Sequence, residues 1–198
     1  ENQNASLSSD HIRAITKTSD GQMWIGTDFG LNLFQPTSQS FKTFTHQTNN
    51  GASLSENFVF AIAEENENQL WIGTRGGGLN LFDVTKETFT AYKYDVNDTN
   101  SISDNIVLSI KKDSLDRLWV GTSNGLNLFN RKTGNFTRYL VEDGLPNNVI
   151  YRIEEDENHQ LWLSTNKGLS RFNPTTSTFK NYDVGDGIQS NEFNFSAS

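Results

Sequence analysis

Four times the chain carries a tryptophan followed by an aliphatic residue, a small residue and a threonine: Trp24-Ile25-Gly26-Thr27, Trp71-Ile72-Gly73-Thr74, Trp119-Val120-Gly121-Thr122 and Trp162-Leu163-Ser164-Thr165. Each is followed by a Gly-Leu pair and a Phe, at Gly30-Leu31 and Phe34, Gly78-Leu79 and Phe82, Gly125-Leu126 and Phe129, and Gly168-Leu169 and Phe172. All four tryptophans occupy this one position, 47, 48 and 43 residues apart. A period of that size belongs to small supersecondary units that cannot bury an apolar face alone and must stack on one another.

The register inside the unit is constant. An Ile lies nine residues before each Trp, at Ile15, Ile62, Ile110 and Ile153. Eight residues before that stands Leu7, Leu54, Ile102 or Leu145. Seven residues beyond the first Phe comes a second, at Phe41, Phe89, Phe136 and Phe179, and three further an aromatic, at Phe44, Tyr92, Tyr139 and Tyr182. The one insertion inside a unit falls at Arg75-Gly76-Gly77. These segments are short, β-branched or aromatic, and separated by polar turns, which predicts four strands a to d per unit. Strand a is expected near Ile12–Thr16, Phe58–Ala63, Ile106–Lys111 and Val149–Glu154; strand b carries the Trp. No useful length shows a helical period.

Four antiparallel strands at this repeat length describe the blade of a β-propeller. The expectation is an all-β chain, a single β-propeller segment over residues 1–198. Its blades are placed at about 7–53, 54–101, 102–144 and 145–187, with a fifth unit started at 188–198. Rings of this type typically hold 4–8 blades, so the segment reads as a fragment of a larger propeller or a ring completed by oligomerisation. The Trp and Phe positions should form the packing between blades, with Trp71 and Trp119 covered on both sides and Trp24 and Trp162, in end units, covered less. The Gly before each Leu calls for a positive φ or a close backbone approach.

Charge and composition exclude several functions. With 16 basic and 24 acidic residues the net charge is −8. That opposes nucleic acid and anionic membrane surfaces alike. There is no 18-residue apolar run to cross a bilayer. The absence of cysteine removes disulfides and thiolate metal sites. The runs Glu64-Glu65-Asn66-Glu67 and Glu154-Glu155-Asp156-Glu157 lack calcium-loop spacing and read as solvated turns. His11, His46 and His159 sit at three different positions of the unit, unlike converging metal ligands. Gly76-Gly77-Gly78 lacks the lysine of a phosphate-cradling loop, and no carboxylate pair stands at a glycosidase separation. No catalytic residue, metal or cofactor is therefore assigned.

What remains is ligand binding. In a propeller the b–c turns and d–a connections share one end of the blades, and residues that vary there on a constant frame are natural specificity positions. The candidates are Asp28 and Phe29, Arg75, Asn124, Lys167, and Tyr151 just behind strand a's start. Arg75 stands beside the insertion, where a guanidinium can clamp a carboxylate or stack on a ring. Phe29 could supply a platform for a sugar. Asn57, Asn105, Asn148 and Asn191 recur too regularly to select a ligand and read as turn caps.

The repeat resembles that of the two-component regulator propeller family. The third unit carries the likeness most fully, in Ser103-Asp104-Asn105-Ile106-Val107, Leu118-Trp119-Val120-Gly121-Thr122 and Asn124-Gly125-Leu126-Asn127-Leu128-Phe129. Other propellers fit less well: no Trp is followed by Asp, as a Trp-Asp repeat requires. The resemblance implies a non-catalytic sensor segment in the periplasmic part of a bacterial signalling protein, sensing carbohydrate breakdown products. Its output would be a histidine kinase, a hybrid kinase or a diguanylate cyclase. The expected partners are a small-molecule or oligosaccharide ligand and a second copy of the chain. A protein-interaction scaffold, or a propeller lyase or glycosidase, stands as the alternative.

Overall fold

The computed structural model describes residues 3–4 and 6–193, the first two by backbone alone. β1 (Gln3–Asn4) precedes four meanders. The first is β2 (Ile12–Lys17), β3 (Met23–Thr27), β4 (Gly30–Gln35) and β5 (Ser40–Phe44). The second is β6 (Val59–Asn66), β7 (Gln69–Thr74), β8 (Leu79–Asp83) and β9 (Thr88–Tyr92). The third is β10 (Val107–Lys112), β11 (Leu118–Thr122), β12 (Gly125–Asn130) and β13 (Asn135–Tyr139). The fourth is β14 (Arg152–Glu155), β15 (Leu161–Thr165), β16 (Gly168–Asn173) and β17 (Thr178–Tyr182). Each meander is one antiparallel sheet in sequence order, and β1 adds a strand outside β5. The chain divides into two compact units, residues 1–93 and 94–198. Each unit holds two blades.

Turn chemistry fixes the register. The last residue of each c–d turn adopts positive φ: Gln39, Glu87, Gly134 and Ser177 stand at equivalent positions. Gly21, Asp116 and His159 do the same in three a–b turns. A left-handed residue closing a short loop matches the twist of the flanking strands. The Gly before each Leu meets both sequence expectations. Gly30, Gly78, Gly125 and Gly168 have φ of +136°, +78°, +118° and +87°, and a Cβ on any of them would overlap the carbonyl oxygen of Phe44, Tyr92, Tyr139 or Tyr182.

The aromatic positions join neighbouring blades. In residues 1–93, Trp24 lies 5.6 Å edge-on to Phe82 of the next blade and 5.9 Å from Phe44, with Phe44 4.9 Å from Phe82. In residues 94–198, Trp119 repeats this with Phe172 at 5.6 Å and Tyr139 at 6.1 Å. Small residues permit the approach: a Cβ on Gly26 would press on Val59, and one on Gly121 on Ile150. Trp24 and Trp119 are thus each covered from the second blade of their own unit. Trp24 is therefore as buried as Trp71 and Trp119, each 1% exposed, contrary to the expectation for an end unit, whereas Trp162 is half-buried.

Three features lie beyond the sequence reading. The acidic runs are structural acceptors and not merely solvated turns. Glu65 and Asp156 accept the indole N–H of Trp71 and Trp162 at 2.7 and 2.9 Å. Glu64 and Glu155 accept from the backbone and hydroxyl of Ser19 and Ser114 in the preceding blade. Buried Asn32 and Asn127 fasten each blade's lead-in: Asn32 Oδ1 accepts from Ser8 N, and Asn127 Oδ1 from Ser103 N. Strand a of the fourth blade begins at Arg152, later than Val149, because Ile150 N donates to Thr122 O of the preceding blade. At the start of the expected fifth unit, Phe193 N donates to Thr165 O as Ile150 N does to Thr122 O. Residues 194–198 lie outside the described residues.

Candidate functional site

The b–c turns and the lead-ins to strand a meet at one end of each blade. Asp28 N donates to His11 O, Arg75 N to Phe58 O and Ser123 N to Ile106 O, at 3.0–3.3 Å. The recurrent Asn fastens this end: Oδ1 of Asn57, Asn105, Asn148 and Asn191 accepts the backbone N–H of His46, Tyr94, Val141 and Val184 at 2.7–2.9 Å. That is capping of the d–a connection, in keeping with their regular spacing.

A bulge recurs in strand a. Ile12 pairs with Thr27 and Ala14 with Gly26, leaving Arg13 unopposed; Phe60 and Leu108 occupy the same place in β6 and β10. Such a bulge bends the strand and re-aims the extra side chain. In residues 1–93 it delivers Arg13 and Phe60 to a cluster. Arg13 grips Asp28 with two hydrogen bonds, Nε to Oδ1 at 2.6 Å and Nη2 to Oδ2 at 3.0 Å. His11 Nδ1 lies 3.0 Å from Asp28 Oδ2. Arg13 sits over the Phe58 ring at 5.0 Å, and Arg75 over the same ring at 5.3 Å. Phe60 packs on Phe58 with centroids 4.7 Å apart.

The electrostatics of the two arginines differ. The Arg13 hydrogen bonds hold the Asp28 carboxyl below its ordinary range, against a smaller opposing effect of burial. The same bonds raise Arg13. Both charges are spent on each other. Arg75 is exposed, and among the described residues its guanidinium donates no hydrogen bond. Of the sequence candidates, Arg75 lies over the Phe58 ring, and Asp28 is joined to that ring through Arg13. Phe29 is 61% exposed and makes no ring contact among the described residues. The ring beside Arg75 is Phe58. Phe58 and Arg13 were not singled out from the sequence; only strand register, one bulge away from ideal, could have placed them.

In residues 94–198, Asn124 Oδ1 accepts from Asn148 Nδ2 at 3.0 Å, and Asn124 Nδ2 donates to Ser103 O at 3.4 Å. Asn124 is thereby tied to the frame. Tyr151, at the position equivalent to the bulge residues, donates its backbone N–H to Ser164 O. Lys167 lines an open cleft of about 350 Å³ with Pro146, Asn181, Tyr182, Asp183 and Asn191.

Ser114 Oγ lies 2.8 Å from His159 Nδ1, and Glu155 Oε1 lies 3.1 Å from that same nitrogen. A relay needs the hydroxyl on one ring nitrogen and the carboxylate on the other, so this trio is a turn clamp. Among the described residues no group of three or more His, Asp or Glu is placed to hold a metal ion. No helix of the described residues is long and apolar enough to cross a membrane.

Comparison with known proteins agrees with this architecture. No curated protein matches the sequence. Among solved structures, the extracellular domain of a protein described as a hybrid two-component system from B. thetaiotaomicron superposes with a TM-score of 0.82 at 26% identity, over 94% of this chain and 26% of its own. A second extracellular domain from the same organism, described as that of a one-component system, gives 0.75 at 24% identity over 90% and 26%. Virginiamycin B lyase from Staphylococcus aureus gives 0.67 at 15% identity over 89% and 57%, a likeness of fold. This chain spans about a quarter of the first two structures. The two component regulator propeller repeat matches at residues 6–29, 53–76, 101–124 and 144–167, each holding a d–a lead-in, strand a, the Trp strand and the b–c turn. With four such repeats on four-stranded blades, the chain belongs to the two-component regulator propeller family.

Proposed function

We propose that this chain is a non-catalytic sensor segment from the periplasmic part of a bacterial signalling protein. Its b–c turn end binds a ligand, of which a carbohydrate is the leading candidate, or relays that ligand's presence. The observation that carries this reading is the cluster of Arg13, Asp28, Phe58 and Arg75. An aromatic face flanked by a neutralised ion pair and an open guanidinium combines the apolar platform and convergent polar groups of a small-molecule site. The likeness to extracellular domains of two-component proteins supports the location and the signalling role. Ligand contacts would act by population shift, favouring one arrangement of the sensor over another through differential affinity.

The test is calorimetric titration of the chain with neutral and acidic oligosaccharides. Saturable binding that Phe58→Ala weakens, with no turnover of the sugar, is the expected result. Turnover would establish an enzyme instead.

A scaffold reading has its own observation. Ile12, Ile15 and Met23, on β2 and β3, are 46%, 61% and 41% exposed. An apolar patch of this kind marks an interaction surface. We assign it to self-association through blade faces, alongside ligand binding at the turns.

A further inference from the structure

We infer that Arg75 is an anion-recognition point and that the ligand of this face carries a carboxylate. The inference rests on reading the b–c turn end as a binding site and adds the chemical class of what it takes.

Three observations converge on Arg75. Its backbone is fixed from both sides: Arg75 N donates to Phe58 O at 3.0 Å, and Gly77, two residues on, is packed so closely that a Cβ there would overlap Ser55 and press on Glu56. Its side chain is held over the Phe58 ring at 5.3 Å. Its donors are unspent, because among the described residues the guanidinium makes no hydrogen bond and no ion pair. The inserted residue of this b–c turn, with Gly76 at φ +119°, thus places a cation on a fixed backbone at the end of the blade and supplies no acid to neutralise it.

The neighbouring Arg13 shows what the same ring does with an acid in reach. There the guanidinium is over Phe58 as well, at 5.0 Å, and its fork is closed on the two oxygens of Asp28. A guanidinium presents parallel N–H groups that match a carboxylate bidentately, and stacking on an aromatic face leaves those in-plane donors open. Arg75 is the same arrangement with the acid missing, so the ligand is the expected source of it. Asp28 cannot compete for that role, being engaged by Arg13 and His11. The chain's net charge of −8 means that long-range attraction does not gather anions here; selection comes from contact at the fork.

The experiment compares digalacturonate, its carboxyl-reduced neutral counterpart and a sulfated disaccharide by calorimetry on the chain, as wild type and as Arg75→Ala, Arg75→Lys and Lys86→Ala. Lys86 lies on the c–d turn of the same blade, at the opposite end of the strands, and is an exposed cation paired with Asp83. The expected result is that the carboxylate binds at least tenfold more tightly than the neutral sugar. Arg75→Ala should lose roughly ten- to a hundredfold in affinity for the acid, the scale of a charged hydrogen bond, and leave the neutral sugar unchanged. Arg75→Lys, which keeps charge and loses the fork, should fall between; Lys86→Ala should match wild type. Unchanged thermal midpoints would show that the variants fold.

Equal binding of acid and neutral sugar, or an acid preference that survives Arg75→Ala, overturns the inference and leaves the ligand-binding reading standing. Preference for the sulfate over the carboxylate overturns the assignment to a planar acid. Binding of none of the three overturns both readings for this face.

Discussion

The indole Nε1 of Trp119 donates a 2.8 Å hydrogen bond to Oδ2 of Asp113, six residues earlier at the end of the adjoining strand. The same spacing joins Trp71 to Glu65 and Trp162 to Asp156. Asp113 also accepts from Arg117 Nε at 2.6 Å and from the backbone N–H of Leu115 and Arg117. It is 4% exposed. Asp113→Ala therefore strips a buried indole and a guanidinium of their acceptor at once. The expected loss is about 2–3 kcal/mol, read as a lower urea midpoint. Asp113→Asn keeps part of the acceptor set and should cost less.

That clamp explains a misreading. In sequence, Glu154-Glu155-Asp156-Glu157 looks like a solvated acidic turn, because a string of carboxylates carries no mark of which donor each will meet. The blade frame was legible because Trp, Gly-Leu and Phe repeat at fixed offsets and each offset has one packing role. The candidate site was legible only in part. Arg75 showed itself through an insertion, and Asp28 through variability on a b–c turn. Phe58 and Arg13 belong to strand a, and their convergence depends on a bulge that alternation cannot reveal. Asn124, a candidate for its place on a variable b–c turn, is bonded to Asn148 and Ser103.

The tryptophans should separate by position. Trp24, Trp71 and Trp119 are each 1% exposed, so truncation to Ala should cost about 3–5 kcal/mol at each. Trp162 is half-buried, and among the described residues its ring meets only Tyr182, stacked at 5.4 Å, and the Arg171 guanidinium at 5.8 Å, both of its own blade. Trp162→Ala should cost visibly less than the other three. Denaturation of the four single variants checks this, and equal losses would mean that Trp162 is covered in solution.

Glycine substitutions should split by what surrounds the new methyl. Gly21, at φ +89°, faces open space, while Gly168, at φ +87°, abuts the Tyr182 carbonyl. Gly21→Ala should cost only its left-handed strain, about 1–2 kcal/mol. Gly168→Ala adds a backbone clash and should exceed about 3 kcal/mol. Thermal midpoints of the pair give the comparison at nearly the same φ.

The exposed face of the first blade should drive self-association. Ile12 occupies the place of Val59, Val107 and Ile150, each 0% exposed, yet is itself 46% exposed. Ile15 stands at 61% where Ile153 stands at 2%. Sedimentation equilibrium should find the chain above monomer mass, and Ile15→Glu should shift it toward monomer. A monodisperse wild-type monomer at tens of micromolar would count against this.

The Arg13–Asp28 ion pair beside Phe58 sets an acid limit for the candidate site. Hydrogen bonds from Arg13 lower the Asp28 carboxyl in the folded chain, while an unfolded Asp titrates near about 3.9. A group lowered on folding adds stability that is fully present above its unfolded value and is lost as pH falls through the folded one. The Arg13–Asp28 grip should thus survive mild acid and release only below the ordinary aspartate range. Carbon-13 NMR titration of the Asp28 carboxyl should give a midpoint below that range. In Arg13→Gln, which removes the charge and the fork, the midpoint should rise back toward it. If Asp28 titrates alike in both proteins, Arg13 is not what holds it, and the contrast between a closed fork at Arg13 and an open one at Arg75 loses its basis.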